Sequence, residues 1–443
     1  MRSNINERLP VEIIRMILSY LNSIEVAKKM RVCKLWNHIG QNNKDLWKDA
    51  SYLTSDYNQI PFRIENERIE KLRARSGGTL NNLNLIISTM NDYKEQADLL
   101  KELPAMNVQN LRLLTKSPGK AAVRQEKNGT RITILWSAIR TALAGCTKLK
   151  SLNMVNHGRS LACRSANGSD SEFDQLCECK LEAFTARGAD AMKIFGEGTL
   201  VRLLSHVRSF KMSLTYMSEN EAIRLMNAVK ATLEEGRFHV REEREPLNDI
   251  ETQIVLPNLV KFHLEVSNYY YMRGNGRSTI YNFKNVSFQW PRLKELTLEG
   301  EARLDFYERI IPLSIESLRL RRIQGLPLSQ LIGILENLTK LKKLAVEFLE
   351  EDTDDFLQQI LLKVTHIPIE DLEIVGAYGL RAKVIKDFVT QRKEHPHSTP
   401  LKRLYLSLPS TSRKRRKKLL DPKTRLWLNK EVEIFRCEVI IPE

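Results

Sequence analysis

Few side chains in this sequence combine the type and the spacing that metal or acid–base chemistry needs. His157, Cys163, Cys177 and Cys179 are zinc-ligand types within one stretch. Their spacing lacks the paired Cys-x2–4-Cys or His-x3–5-His knuckles that close a tetrahedral site, so they read as ordinary thiols and a surface imidazole. The six cysteines together read as reduced thiols. The GNGR stretch at 274–277 has no strand-then-helix setting in which a glycine turn could hold phosphate. Neither a Gly-x-Ser-x-Gly elbow nor a His-Glu-x-x-His pair is present. The acidic run EEDTDD at 350–355 opens a helix, where carboxylates suit the positive end of the dipole and need no catalytic role. The expectation is therefore a binding protein, with no catalytic residues, no metal and no cofactor.

Charge is the other conspicuous chemical feature. The net charge is +16 and the pI about 9.5, and part of the excess is gathered in SRKRRKK at 412–418. Its cations Arg413, Lys414, Arg415, Arg416, Lys417 and Lys418 suit a nuclear-localisation signal, with an anionic-surface contact or a plain solvated loop as alternatives. No aromatic residue interrupts the run, unlike the surfaces that stack single-stranded bases. The opening MRSNINERLP is polar, and no stretch approaches the roughly 20 apolar residues of a membrane span. These features lead us to expect a soluble protein of the nucleus and/or cytoplasm, without membrane contact.

The elements that must position any binding surface follow a recurring phrase: apolar, two residues, apolar, one residue, apolar. It occurs as VQNLRL (108–113), LKSLNM (149–154), LEAFTA (181–186), VRSFKM (207–212) and LVKFHL (259–264). It continues as LKELTL (293–298), IESLRL (315–320), LKKLAV (341–346), IEDLEI (369–374) and LKRLYL (401–406). The central positions are 111, 152, 184, 210, 262, 296, 318, 344, 372 and 404, and most steps between them lie between 22 and 32 residues. That is close to the 20–29 of leucine-rich repeats. Such a strand buries one face and a following helix covers its edge, so the units are stable only when stacked. The long steps imply insertions near 156–178 and 236–255. A doubly wound sheet is the alternative, since it also alternates strands and helices.

In such a stack the residues between the apolar positions face the concave side. The expected target-binding residues are Arg112, Arg187, Lys211, Lys261, His263, Arg319, Arg321 and Tyr405, with the plain reading being solvated strand positions. In the first five units Arg112, Arg187, Lys211 and Lys261 stand against Glu265. In the last five, Arg319, Arg321, Lys343 and Arg403 stand against Glu295, Glu299, Glu347, Asp371 and Glu373.

The first fifty residues have a different pattern. Pro10 and Glu12 suit a first helical turn, and Ile13, Ile14, Ile17, Leu18 and Leu21 recur at helical spacing. Val26, Met30, Val32, Cys33 and Trp36 suggest a second helix, and Leu46-Trp47 ends a third. Segments of this size usually need a partner to bury so much apolar surface. A three-helix cap sealed against the repeats is the alternative. The run Leu9-Pro10-x-Glu12, Ile17-Leu18-x-Tyr20-Leu21, Val32-Cys33-Lys34-x-Trp36 and Leu46-Trp47 resembles an F-box, departing only conservatively at Val26, where leucine is commoner. The resemblance implies docking to the Skp adaptor, and through it to cullin and RING subunits. It puts Leu9, Pro10, Ile13, Ile17, Leu18, Leu21, Val32, Cys33 and Trp36 at that contact, supported by Leu46 and Trp47.

The sequence thus predicts an α/β chain in four parts. They are a three-helix F-box at 1–50, a helical linker at 51–105, an irregular leucine-rich-repeat solenoid of about ten units at 106–409, and a basic segment and cap at 410–443. The function expected is substrate recognition in an SCF-type ubiquitin ligase, non-catalytic in itself. The alternative is a structural F-box protein in a nuclear or chromatin-associated assembly, with nucleic acid as a secondary partner.

Overall fold

The computed structural model describes residues 9–21, 23–31, 33–51, 71, 74–88, 97–98, 100–101, 103–116, 137–156, 180–188, 195, 197–213, 217–241, 252–267, 283, 285–300, 304–321, 328–347, 361, 365, 367–375, 382–395, 399–409 and 422–440. The chain divides into two compact units, Met1–Thr215 and Tyr216–Glu443.

The N-terminal unit opens with helices α1 (Val11–Ser19), α2 (Ser23–Lys29) and α3 (Lys34–Asn42), then a 3-10 turn at Lys44–Trp47. Pro10 starts α1 with an extended backbone, and its carbonyl accepts from the amides of Ile13 and Ile14. Asn43 closes the far end by accepting the Asp45 amide through Oδ1. The chain then enters parallel strands β1 (Asp49–Ser51), β2 (Asn82–Ser88), β3 (Asn110–Lys116), β4 (Ser151–Asn156), β5 (Ala183–Arg187) and β6 (Ser209–Ser213), each paired with the next. Helix α4 (Glu197–Leu203) lies between β5 and β6 in the chain.

The C-terminal unit contains α5 (Glu219–Val229), β7 (Glu235–Arg241), β8 (Thr252–Val255), β9 (Lys261–Ser267), β10 (Val286–Gln289) and β11 (Glu295–Gly300). It continues with α6 (Leu304–Ile310), β12 (Ser317–Arg321), α7 (Leu328–Glu336), β13 (Lys343–Glu347), β14 (Asp371–Val375), α8 (Ala382–Glu394), β15 (Arg403–Pro409), α9 (Pro422–Glu431) and β16 (Ile434–Ile440). Strands β7, β9 and β11 to β16 pair in chain order, all parallel, while β8 and β10 form a separate parallel pair. Within neither unit does the strand order reverse. A doubly wound sheet requires such a reversal, so the alternative fails on topology.

Every phrase singled out in the sequence is a strand, and the phrases align position by position. Leu111, Leu152, Phe184 and Phe210 are successive partners in the first unit. Phe262, Leu296, Leu318, Leu344, Leu372 and Leu404 are successive partners in the second. These positions are buried, and so are the apolar residues that open each phrase, from Val108 to Leu401. Aromatic contacts complete the interior, with Phe184 stacked on Phe210 and Phe262 tilted against Trp290.

Four strands of the main pairing fall in stretches where the sequence pointed to something else, the first being β1 at the junction of the expected F-box and linker. Asn82–Ser88 is β2, inside the stretch expected to be a helical linker, and Glu235–Arg241 is β7, inside an expected insertion. Ile434–Ile440, expected to be a basic tail and cap, is β16 and pairs along the whole of β15.

Charges outside the strands reinforce the register. Glu316 stands between Lys294 at 3.3 Å and Lys342 at 3.2 Å, and Glu370 meets Lys402 at 2.6 Å. The two lysines hold the Glu316 carboxyl below its ordinary value, the hydrogen bond from Lys342 being the larger cause. Such exposed pairs add little stability, because solvent screens them.

One buried ion is structural. Arg392 of α8 is 2% exposed and donates to the carbonyls of Thr365, Ile367, Ile369 and Thr399. Burial pushes its pKa down to about 10, which leaves it protonated at neutral pH. Replacing it by methionine strands those carbonyls without a donor. Arg392→Met is therefore expected to destabilise the C-terminal unit by about 3 kcal/mol, read from the urea midpoint at constant slope.

Candidate functional site

Helix α1 carries apolar residues on two faces, and only one of them is covered. Ile14 and Leu18, both 0% exposed, point into a core with Val26, Met30, Trp36, Ile39, Leu46 and Trp47. Trp47 donates its indole N–H to the Gly40 carbonyl at 2.6 Å, and the Arg75 guanidinium lies 4.6 Å above its ring. The helices and the turn after them therefore bury one core of their own, while part of their apolar surface stays uncovered. Two tryptophans and a methionine supply the volume that three short helices lack.

The other face is open. Ile13 is 37% exposed, Met16 49% and Tyr20 82%, while Ile17 between them is half-buried. Positions 13, 16, 17 and 20 follow one helical stripe about 100° around from the inward one. Pro10, also exposed, stands at its start.

The expected adaptor-contact residues thus separate into groups. Pro10, Ile13 and Ile17 belong to the outward face. Leu9, Leu21 and Cys33 are partly buried against the core. Leu18, Trp36, Leu46 and Trp47 are interior in this chain, so the apolar stripe read from the sequence divides between two faces. The physical reason is angular: neighbours such as Ile17 and Leu18 lie ~100° apart on a helix, so one belongs to each face. Val32 lies outside the described residues. Met16 and Tyr20 were missed as contact residues, although their i+3 and i+7 spacing from Ile13 would have found them.

The F-box-like family matches residues 6–52. A comparison with curated proteins finds no match to the chain. The chain therefore carries an F-box-like domain at its N-terminal end, followed by a mixed α/β region built on parallel sheet.

The outward positions of the sheet form a second candidate surface, and their charges differ between the units. In the C-terminal unit several of them are paired to one another. Arg321 meets Glu347 at 2.6 Å and Glu299 at 3.3 Å, Arg237 meets Glu265 at 3.3 Å, and Lys261 meets Glu295 at 3.0 Å. Arg319 reaches Glu373 two strands away, across the small side chain of Ala345. A cavity of about 280 Å³ opens beside this bridge, lined by Arg321, Glu347, Tyr405 and the buried Ser407 among others. Burial works against the Arg321 charge, but hydrogen bonding to Glu347 and the nearby Glu299 outweigh it and raise its pKa.

His263, Glu265 and Glu299 have ligand atoms within 4.8 Å of one another, the one trio of metal-ligating type among the described residues. Arg321 and Arg237 already pair with those carboxylates, so the group is accounted for as an ion-pair network. The cysteines and histidine at 157, 163, 177 and 179 and the basic run from Arg413 to Lys418 lie outside the described residues.

His239 is 3% exposed, with Nε2 3.7 Å from Glu265. Desolvation, only partly opposed by Glu265, holds its pKa below the ordinary 6.5. The unfolded chain therefore binds the proton more readily, and this contribution to stability is complete above about pH 6.5 and declines as the pH falls below it. The urea midpoint of the wild type should drop more between about pH 7.5 and 5.5 than that of His239→Gln. Parallel pH profiles of the two would contradict this.

Proposed function

We propose that this protein is a substrate-recognition subunit of an SCF-type ubiquitin ligase, with no catalytic role of its own. The outward face of α1 docks the Skp adaptor, which links the chain to cullin and RING subunits. The parallel strands act as an irregular leucine-rich-repeat solenoid whose concave face holds a target protein for ubiquitin transfer in the nucleus and/or cytoplasm. Proximity is the receptor's contribution in such a ligase, so the chain needs no reactive constellation.

One observation carries the reading. The F-box-like segment retains an uncovered apolar stripe, Ile13, Met16 and Tyr20, on a helix whose core face is already filled. Contiguous exposed apolar surface of this kind marks an interaction site. The aligned phrases, each with a buried central residue and all but the Ala345 phrase with a polar outward neighbour, support the solenoid.

The test is reconstitution with purified adaptor, cullin and RING subunits. The full chain is expected to elute as one complex with all three. Elution apart from the adaptor at micromolar concentration would overturn the reading.

A further inference from the structure

The charge pattern of the sheet separates the two units more sharply than their shared strand geometry suggests. Strands β2 to β6 read NLNLIIS, NLRLLTK, SLNMVN, AFTAR and SFKMS. Not one carboxylate occurs in them. Arg112, Asn153, Thr185 and Lys211 are successive partners in one outward row, and Arg187 lies two positions beyond Thr185 on the same face. Arg112 and Arg187 are exposed and make no ion pair among the described residues. In the C-terminal unit, by contrast, Arg237, Arg319 and Arg321 are matched by carboxylates on neighbouring or next-neighbouring strands. A surface that pairs its own charges gains little from a charged partner, whereas an unmatched one can give those contacts to a ligand.

We infer that the N-terminal unit's outward sheet face, β2 to β6, binds an acidic, extended segment of the target protein. The inference rests on the receptor reading and names the chemistry of what is received. Strands lie about 4.8 Å apart and Arg187 sits two positions further along its strand, so Arg112 and Arg187 are separated by about 12 Å across the face. An extended peptide covers that distance in about four residues. Acidic side chains at that spacing would therefore reach both cations. The row also offers polar groups suited to a peptide backbone. The half-buried Asn153 and Thr185 can each accept from a peptide N–H as well as donate to its carbonyl. A phosphodiester backbone offers acceptors only. The aromatic residues of these strands, Phe184 and Phe210, are buried on the opposite face, so the face offers no aromatic ring on which bases could stack. The observations favour peptide over nucleic acid.

The test uses the full chain and fluorescence anisotropy with three labelled probes. They are an extended peptide with glutamate at every fourth position, its glutamine counterpart, and a single-stranded oligothymidylate of the same net charge as the glutamate peptide. The glutamate peptide is expected to bind roughly tenfold more tightly than the glutamine peptide, the scale of a pair of charge-assisted contacts. Arg112→Gln with Arg187→Gln is expected to erase that preference, and Arg319→Gln with Arg321→Gln to keep it. Equal binding of both peptides, a preference that survives in Arg112→Gln with Arg187→Gln, or tighter binding of the oligothymidylate would each overturn the inference. Adaptor binding by the same proteins is measured alongside. Its retention while the peptide preference fails removes this inference alone, whereas its absence from the wild type removes the receptor reading beneath it.

Discussion

Replacing Ile13 and Met16 together by aspartate is expected to abolish adaptor binding while leaving the chain folded. Both side chains lie on the uncovered stripe of α1, at 37% and 49% exposure, so the isolated protein loses no core contact. Surface substitutions of this kind change stability by about 0.5 kcal/mol or less. In a complex the same positions would be desolvated. Loss of two apolar anchors at a hot spot, together with burial of two unpaired carboxylates, should weaken binding at least 100-fold. Titration calorimetry against the purified adaptor measures the loss, and circular dichroism checks the fold. The double substitution Leu9→Ala with Pro10→Ala tests the same face less directly. Pro10 also starts the helix and Leu9 packs against the core, so part of its effect would come through stability. Binding by the aspartate variant close to that of the wild type would place the contact elsewhere.

Trp47→Ala should also abolish adaptor binding, but by a different route. Trp47 is 1% exposed, donates its indole N–H to Gly40, and closes the core beneath α1 with Leu18 and Trp36. Truncating a buried tryptophan costs about 3–5 kcal/mol, and a helical group this small has little stability in reserve. The helices are expected to lose cooperative structure while the C-terminal unit keeps its own unfolding transition. Hydrogen exchange followed by residue would show the amides of α1 and α3 unprotected and those of β11 to β15 unchanged. Protected α1 amides in Trp47→Ala would mean that this core does not hold the docking face in place.

The repeating phrase makes much of the sheet legible in the amino-acid sequence alone, because an apolar residue at each fixed position is what parallel stacking demands. The strands that escape the pattern explain the limits. Leu80-x-x-Leu83-x-Leu85 fits the phrase in full, but it lies among charged helical patterns that suggest a linker. The strand at 235–241 has Gly236 at the central position, where the phrase calls for a large apolar residue; a Cβ there would press on Leu233, Phe238 and Phe262. Val432-x-x-Phe435-x-Cys437 follows a strongly basic run and resembles a tail.

The docking face is legible in type but not in direction. Periodicity marks α1 as apolar over a wide arc, and only packing decides that Leu18 turns inward and Met16 outward. Long-range partners are invisible in the sequence for a related reason. The carbonyls held by Arg392 and the carboxylates held by Arg321 come from elements brought near only by the register of the sheet. Which outward charges pair across the C-terminal strands emerges only once strands are set side by side.

Hydroxyl-radical footprinting of the full chain, with and without the adaptor, bears most directly on the docking face. Met16 and Tyr20 are reactive side chains on the uncovered stripe, and exposed Leu426 in α9 serves as an internal reference. Saturating adaptor is expected to suppress oxidation of Met16 and Tyr20 and to leave Leu426 unchanged. Undiminished oxidation of Met16 and Tyr20 at saturating adaptor would contradict the assignment of this face as the docking surface.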